Sequence, residues 1–405
     1  MRIVYVLTSL GMGGAEKLAL ALANRIENRG HEVAVLALMP PVSEEWPAAL
    51  RKVYVEMHRS PVSLIVGLVR VRRFVSDFQP DLIHSHSFHA NLFARLLKLL
   101  FPRAVVLSTL HNVYEGGWLR MLAYRLTDRL SRRTVAVSHA AAQRFIECRA
   151  VPARKCAEIP NGMDSSEFVP DANRGKRMRA EMGAGEEPGM PRFIWIAAGR
   201  IAAAKDYPNL LRAFVRVYEQ RPDARLWIAG EGEDADFAPL QALAAGLELS
   251  GVVCWLGLRR DMPALLGAAD AFVSSSAWEG MPLAVGEAML MEKPVVATDA
   301  GGTCELVGDA GQVVPVRSPE ALSEAMLDIM RQTEEERSAL GRAARARVVK
   351  EFSMDAAAGE WETLYRELVE AEQPLPRNEQ KGPKQEASAL SASCPPTAGS
   401  RCDRL

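Results

Sequence analysis

Short, unbroken apolar runs alternate with stretches of helical periodicity along two separate lengths of this chain. In the first length, residues 3–7 form a β-rich run, 8–14 a glycine-containing turn, and 15–29 a helical repeat ending at Gly30, a residue suited to the left-handed turn that closes a helix. Strand signals follow at 33–38, 81–86, 105–109 and 134–137, with helical stretches at 90–100 and 119–130. In the second length, strands are expected at 193–197, 225–229, 252–255, 271–274, 295–297 and 312–314, with helices between them. Strands that are apolar throughout, rather than in alternation, must be covered on both faces, so each series predicts a parallel sheet between helical layers. The stretch 169–190 is rich in Gly, Pro, Glu and Arg and carries no strand signal, which reads as a connection.

The expected architecture is therefore α/β, with two doubly wound Rossmann-like domains, 1–168 and 191–354, facing across a cleft. A last amphipathic helix within 355–372, with Asp355 as its N-cap, is expected to pack back on the first domain. The Pro-, Ser-, Gly- and Gln-containing residues 373–405 read as a disordered tail. In such sheets ligands gather at the carboxyl ends of the strands, so the chemistry belongs on the loops that follow them.

Composition removes several classes. With 405 residues and a net charge of −1, the chain is not a basic nucleic-acid binder. The charge is uneven, however: residues 1–150 hold 20 Lys/Arg against 11 Asp/Glu, so this half is suited to an anionic neighbour. The six cysteines form no C-x-x-C pair, which argues against structural zinc and a disulfide framework and fits a reducing cytoplasm. The ending Cys402-Asp403-Arg404-Leu405 has the outline of a prenylation box but lacks its aliphatic middle. No apolar run reaches the roughly 18–20 residues of a membrane span, and the N-terminus reads as a first strand rather than a signal peptide.

Three loops carry chemistry. Gly11-Met12-Gly13-Gly14-Ala15-Glu16 lies between a strand and a helix, where glycines admit close approach and the helix start favours anions. It is not the dinucleotide fingerprint, because Glu16 stands where the last glycine belongs. Gly199-Arg200-Ile201-Ala202-Ala203-Ala204-Lys205-Asp206 follows a strand and places two cations five residues apart, a spacing that can converge on one diphosphate. The segment from Ser274 to Met289 holds Glu279 on a loop and Glu287 early in the next helix. Between them, Gly280, Met281, Pro282 and Leu283 bring backbone N–H groups to the helix start. A carboxylate accepts two hydroxyls at once, so one Glu can hold a hexose and the other a ribose.

Together these segments resemble glycosyltransferase family 4, a family of retaining enzymes with the GT-B fold. The resemblance runs from Gly13-Gly14-Ala15-Glu16 to about Phe352 and takes in Val137-Ser138, Ile159-Pro160-Asn161-Gly162-Met163-Asp164, Ala229-Gly230-Glu231-Gly232 and Ala300-Gly301-Gly302. It implies that Arg200 and Lys205 hold the donor diphosphate, and that Glu287 contacts the ribose. It further implies that Glu279 with the Gly280–Leu283 backbone holds the donor sugar and the distal phosphate, and that Gly13 and Gly14 face the phosphate and acceptor side. His111, in Thr109-Leu110-His111-Asn112, matches the histidine that reaches the donor sugar from the first domain. Asp206 departs from the pattern, since many members have Gly after the lysine.

The resemblance implies transfer of a sugar, with retention, from a nucleotide-sugar (a UDP-sugar by family frequency) to a carbohydrate or lipid-linked acceptor in surface glycan synthesis. No cofactor or metal is expected. His84, His86 and His89 have no partner carboxylates nearby, and Asp234-Ala235-Asp236 reads as a helix cap rather than a metal-binding D-x-D. A nucleotide-sugar epimerase of the same fold and a non-catalytic nucleotide-sugar sensor are the competing functions. Both would act without an acceptor, and the sensor would turn nothing over.

Between Arg95 and Arg133, the residues Lys98, Arg103, Arg120, Arg125, Arg129 and Arg132 add basic charge to two helices bearing Leu92, Phe93, Leu96, Leu97, Leu99, Leu100, Trp118, Leu119 and Leu122. Basic amphipathic helices lie on anionic leaflets, so peripheral attachment to the cytoplasmic membrane face is expected, against the alternative that these apolar faces are core.

Overall fold

A computed structural model describes residues 1–10, 13–39, 51–55, 61–182 and 192–372, without the side chains of 61–65. In the first half, β1 (Arg2–Leu7) leads to α1 (Gly14–Asn28), β2 (Glu32–Ala37), β3 (Arg51–Tyr54) and α2 (Pro61–Phe78). Then come β4 (Leu82–His86), α3 (Phe88–Leu100), β5 (Val105–Leu110), α4 (Trp118–Thr127), β6 (Arg133–Ala136), α5 (His139–Glu147) and β7 (Cys156–Glu158). These strands form one parallel sheet of order β3-β2-β1-β4-β5-β6-β7. The strand order reverses between β1 and β4, which opens a crevice at their carboxyl ends.

The second half begins with α6 (Ala172–Glu181), β8 (Phe193–Ala198), α7 (Tyr207–Gln220), β9 (Ala224–Ala229), α8 (Asp234–Gly246), β10 (Val253–Gly257) and α9 (Met262–Ala268). It continues through β11 (Ala271–Ser274), α10 (Leu283–Leu290), β12 (Val295–Thr298), α11 (Thr303–Val307), β13 (Gln312–Val314), α12 (Pro319–Arg331), α13 (Glu334–Glu351) and α14 (Met354–Glu370). Its parallel sheet has the order β10-β9-β8-β11-β12-β13, with the reversal between β8 and β11.

The central strands are buried along nearly their whole length, as their unbroken apolar runs require: five of six residues in β1 and all of β4, β5 and β12. The stretch read as a connection contains α6, started by Asp171, whose side chain accepts from the Asn173 and Arg174 N–H groups. This helix lies so close to α9 that a Cβ on Gly175 would stand 2.6 Å from the Gly267 carbonyl oxygen. The remainder of that connection, 183–191, and the expected tail, 373–405, lie outside the described residues.

The last helix, α14, belongs physically to the first half. Ala358, Trp361, Tyr365 and Leu368 share a core with Ile3, Tyr5, Leu20, Ile26 and Leu107. Burying each large side chain contributes about 1.5–3 kcal/mol. Its N-cap is Ser353, whose hydroxyl accepts from the Ala356 N–H, and not Asp355, which lies in the first turn. The same correction applies at α8: Glu233 is the N-cap position, without a side-chain bond, and Asp234 and Asp236 occupy the first turn, where the helix dipole favours them.

Candidate functional site

Four loops at the carboxyl ends of the second sheet are packed at glycine distance. Gly199 (φ 149°) and Gly230 (φ 152°) adopt backbone conformations that side-chain-bearing residues avoid. A Cβ on Gly230 would stand 2.0 Å from the Gly199 carbonyl oxygen, so the loops after β8 and β9 touch through bare backbone. The loops after β11 and β12 do the same: a Cβ on Gly301 would stand 2.0 Å from the Glu279 carbonyl oxygen, and the Gly302 N–H donates to the Gly280 carbonyl at 2.8 Å.

This packing brings the sequence-predicted residues together. The Lys205 ammonium donates to Glu279 Oε1 at 2.7 Å, and the Ser276 hydroxyl donates to the same oxygen at 2.8 Å. The Ser275 hydroxyl holds the Lys205 carbonyl at 2.8 Å. Asp206 is left-handed (φ 43°, ψ 48°), so this turn uses the geometry a glycine adopts most easily, and Asp accepts it at a modest cost of about 1 kcal/mol. Arg200 is exposed, and among the described residues it has no hydrogen-bonding or ion-pair partner. The helix α10 has Pro282 at its N-cap position with no side-chain cap, so no side chain meets the N–H groups at its start, although the Val285 N–H turns back to the Pro282 carbonyl at 3.2 Å. Within that helix, burial pushes the Glu287 carboxyl up to about 7, against the opposing pull of Lys17 and Lys205.

The first half closes on this platform. The β5–α4 loop pairs with the β11–α10 loop through an antiparallel Asn112–Gly280 bridge, and the Val113 N–H donates to the Glu279 carbonyl at 3.3 Å. At the other side of the cleft, Gly14 meets Leu283: a Cβ on the glycine would stand 3.1 Å from Leu283 Cδ1. Gly13 is the N-cap position of α1, and the Glu16 carboxylate folds back against it. His111 stands at the end of β5, partly buried, with its imidazole pulled down to about 4 by burial.

Sequence reasoning missed several supporting groups because each is brought in from far along the chain or is hidden by local composition. Glu115 accepts from the His111 backbone N–H at 3.2 Å and from the Tyr124 hydroxyl at 2.6 Å, and burial pushes its carboxyl up to about 7. Asn161 donates to the Met281 carbonyl at 3.3 Å, linking the segment after β7 to the β11–α10 loop. Glu305 accepts from the His139 and Ala140 N–H groups at 3.0 and 3.1 Å, so a second-half carboxylate caps a first-half helix. Arg95, counted in the basic stripe, is instead fully buried, bonded to the Tyr124 carbonyl, Thr127, Thr134 and Ser108. The apolar faces beside it divide: Leu97 is core with Phe93 packed against it, whereas Trp118 is 72% exposed and Leu126 73%, and Leu96, Leu99, Leu100, Leu119 and Leu122 are exposed with them. Among the described residues no helix is long and apolar enough to cross a membrane.

Comparison with known proteins fits this geometry. Residues 12–167 match the model of "Glycosyltransferase Family 4", and residues 180–347 that of "Glycosyl transferases group 1". The chain is 24% identical over 326 residues to an Escherichia coli UDP-Gal:alpha-D-GlcNAc-diphosphoundecaprenol alpha-1,3-galactosyltransferase, covering 76% of this chain and 81% of that one. It is 27% identical over 326 residues to a Mycolicibacterium smegmatis GDP-mannose-dependent alpha-(1-6)-phosphatidylinositol monomannoside mannosyltransferase, covering 75% and 82%. Its fold superimposes on Anabaena Alr3699/HepE, solved in complex with UDP-glucose, with a TM-score of 0.79 at 21% identity, over 90% of this chain and 100% of that one. With both halves matched, the loops converging on one cleft and the two-sheet architecture shared, this chain belongs to glycosyltransferase family 4 and is a glycosyltransferase of the GT-B fold.

Proposed function

We propose that this glycosyltransferase moves a hexosyl group from a UDP-sugar to a hydroxyl of a lipid-linked glycan acceptor at an anionic membrane surface, with retention and without a metal ion. The observation that carries this reading is the Lys205–Glu279 pair, with Arg200 exposed on the same loop and the uncapped start of α10 beside it. Arg200, Lys205 and the α10 N–H groups supply positive charge for a diphosphate, and Glu279 and the Gly280–Leu283 backbone supply acceptors and donors for a sugar. Lys205 donates to Glu279 Oε1, and a diphosphate that draws the ammonium to itself leaves that carboxylate oxygen for the sugar hydroxyls.

In the proposed step, the acceptor hydroxyl oxygen bonds to the anomeric carbon on the face from which the diphosphate leaves. The bond from that carbon to the β-phosphate oxygen breaks, and the hydroxyl proton passes to the departing phosphate. Arg200 and Lys205 stabilise the charge that builds on the diphosphate, an effect worth several kcal/mol where donors are preorganised. Glu287 receives the ribose diol, and His111 meets the donor sugar from the first half. UDP as the nucleotide is supported by the UDP-Gal in the name of the Escherichia coli relative and by the UDP-glucose complex of the structural neighbour.

The membrane reading rests on α3 and α4. They expose Leu96, Leu99, Leu100, Trp118, Leu119, Leu122 and Leu126, and Arg103, Arg125, Arg129 and Arg132, on or near these helices in sequence, are exposed as well. Exposed apolar residues accompanied by exposed cations fit an anionic leaflet, and two relatives have lipid-linked or phosphatidylinositol acceptors in their names.

A thermal-shift screen of UDP, GDP, ADP and their sugar conjugates, with and without EDTA, tests the donor half. Stabilisation by UDP and UDP-sugars that EDTA leaves unchanged is expected. A shift with GDP alone would replace the donor, and a shift abolished by EDTA would remove metal independence. Product stereochemistry by NMR tests retention, and flotation with anionic liposomes at low salt tests the surface.

A further inference from the structure

Three imidazoles follow one another beneath the cleft, at the carboxyl ends of β4 and β5. His84 and His86 have ring centroids 4.1 Å apart, and His86 and His111 5.1 Å. His84 is fully engaged: Nδ1 bonds the Tyr365 hydroxyl at 2.7 Å, Nε2 bonds Thr109 Oγ1 at 2.7 Å, and Tyr365 bonds Tyr5 at 2.9 Å. Its role is to tie α14 to the sheet.

His86 is different. It is 2% exposed, its ring is stacked on Tyr5 at 5.7 Å, and its Nδ1 shares a hydrogen bond with His111 Nε2 at 2.9 Å. Its Nε2 is buried without a partner among the described residues, as is Asn161 Oδ1, and both residues line one cavity of about 10 Å³ with Thr109, His111 and Trp361. Packing alone does not account for a buried imidazole with an unmet nitrogen, because an apolar ring would fill the same space without leaving a polar atom unbonded.

We propose that His86 is a positioning residue that sets the ring orientation and the tautomer of His111. In the proposed arrangement the His86 proton sits on Nε2, toward the cavity it shares with the acceptor Asn161 Oδ1. A single water, for which such a cavity has room, bridges the two. His86 Nδ1 then accepts from His111 Nε2–H, and His111 Nδ1 presents a lone pair. His111 is thereby an acceptor for a sugar hydroxyl rather than an acid. Burial keeps both rings neutral, with His86 well below the usual histidine range. The proposal rests on the reading of His111 as the group that meets the donor sugar.

The test compares His86→Asn, His86→Gln and His86→Phe, using UDP-sugar hydrolysis and UDP affinity, with the thermal midpoint of each variant as a control for folding. Asn carries a polar atom at the reach of Nδ1, and Gln carries one at the reach of Nε2. We expect Gln and Phe to lower kcat by about 10–100-fold with KM and UDP affinity within about threefold, the scale of loss for a misaligned group. Asn should recover turnover to within about fivefold of wild type. Equal loss in Asn and Gln at an unchanged midpoint, or full activity in Gln, would overturn the positioning role. Histidine-selective 15N spectra add a readout independent of turnover: His111 should be the Nε2–H tautomer in wild type and lose that preference in the Gln variant. If His111→Ala hydrolyses donor as wild type does, the reading of His111 itself fails, which the His86 variants alone would not reveal.

Discussion

Gly280→Ala isolates the contact on which the closed cleft depends. Built on this backbone, the alanine Cβ would stand 2.0 Å from the His111 carbonyl oxygen, 2.6 Å from the His111 carbonyl carbon and 3.0 Å from the Asn112 nitrogen. Ordinary contact between such atoms begins at about 3.5 Å, so the two loops must part by more than an ångström. Both partners are backbone, so no side chain can swing aside. Parting breaks the Asn112–Gly280 bridge and the 3.3 Å bond from the Val113 N–H to the Glu279 carbonyl. Overpacking of this kind costs about 1–3 kcal/mol, to which one lost hydrogen bond adds about 1 kcal/mol. In a chain of this size that lowers the melting midpoint by a few degrees, at roughly 1 °C per kcal/mol. Because the same shift displaces Glu279 and His111 from each other, donor turnover should fall by about 10²-fold, with UDP affinity falling less. Calorimetry and UDP-sugar hydrolysis read both effects. Gly246→Ala is the control, since a Cβ there meets nothing within 4 Å. A Gly280→Ala protein with the midpoint and turnover of Gly246→Ala would refute the argument that backbone contact at this point holds the halves in register.

Other outcomes follow from the same geometry. Lys205→Met should weaken UDP binding by at least about tenfold in calorimetric titration, because it removes the charge-assisted bond proposed to the diphosphate; unchanged affinity would detach Lys205 from the donor. Glu287 titrates at about 7 when folded and 4.5 when unfolded, so the folded state holds the proton more tightly and stability falls as pH rises between those values. Glu287→Gln cannot ionise and should gain on wild type by on the order of 2 kcal/mol from pH 5 to pH 8, read from urea midpoints, while losing ribose recognition. Trp118→Glu combined with Leu126→Glu should abolish liposome binding with no change in melting or UDP affinity, since both side chains are largely exposed. Tyr365→Phe should destabilise by about 1–3 kcal/mol, because it leaves His84 Nδ1 buried without its partner.

Local pattern was enough for most strands and for the loops that gather at the end of the second sheet. The runs at 271–274 and 312–314 coincide with β11 and β13, and Arg200, Lys205, Glu279 and Glu287 all lie near one sheet end because each follows a strand of the same parallel sheet. The strands β3 and β7 went unread because edge strands are short and only half covered: β3 is Arg-Lys-Val-Tyr and β7 is three residues long. The helix α6 was hidden by the polar composition of its ten residues, of which only Gly175 is buried. Arg95 misled in the opposite sense, since a cation on an amphipathic helix reads as surface unless its partners, here Thr127 and Thr134 in later elements, are known.

The order of apolar runs and glycine turns by itself determined two parallel sheets, the ends of the strands where chemistry gathers, and the residue types available there, because strand burial and turn geometry are written into neighbouring residues. Only the tertiary structure decided that Lys205 rests on Glu279, that Gly280 presses on the His111 backbone, and that Tyr365 reaches His84 across 281 residues of sequence. These contacts are set by how two sheets and a returning helix pack against one another, and close packing couples atoms that no local pattern relates.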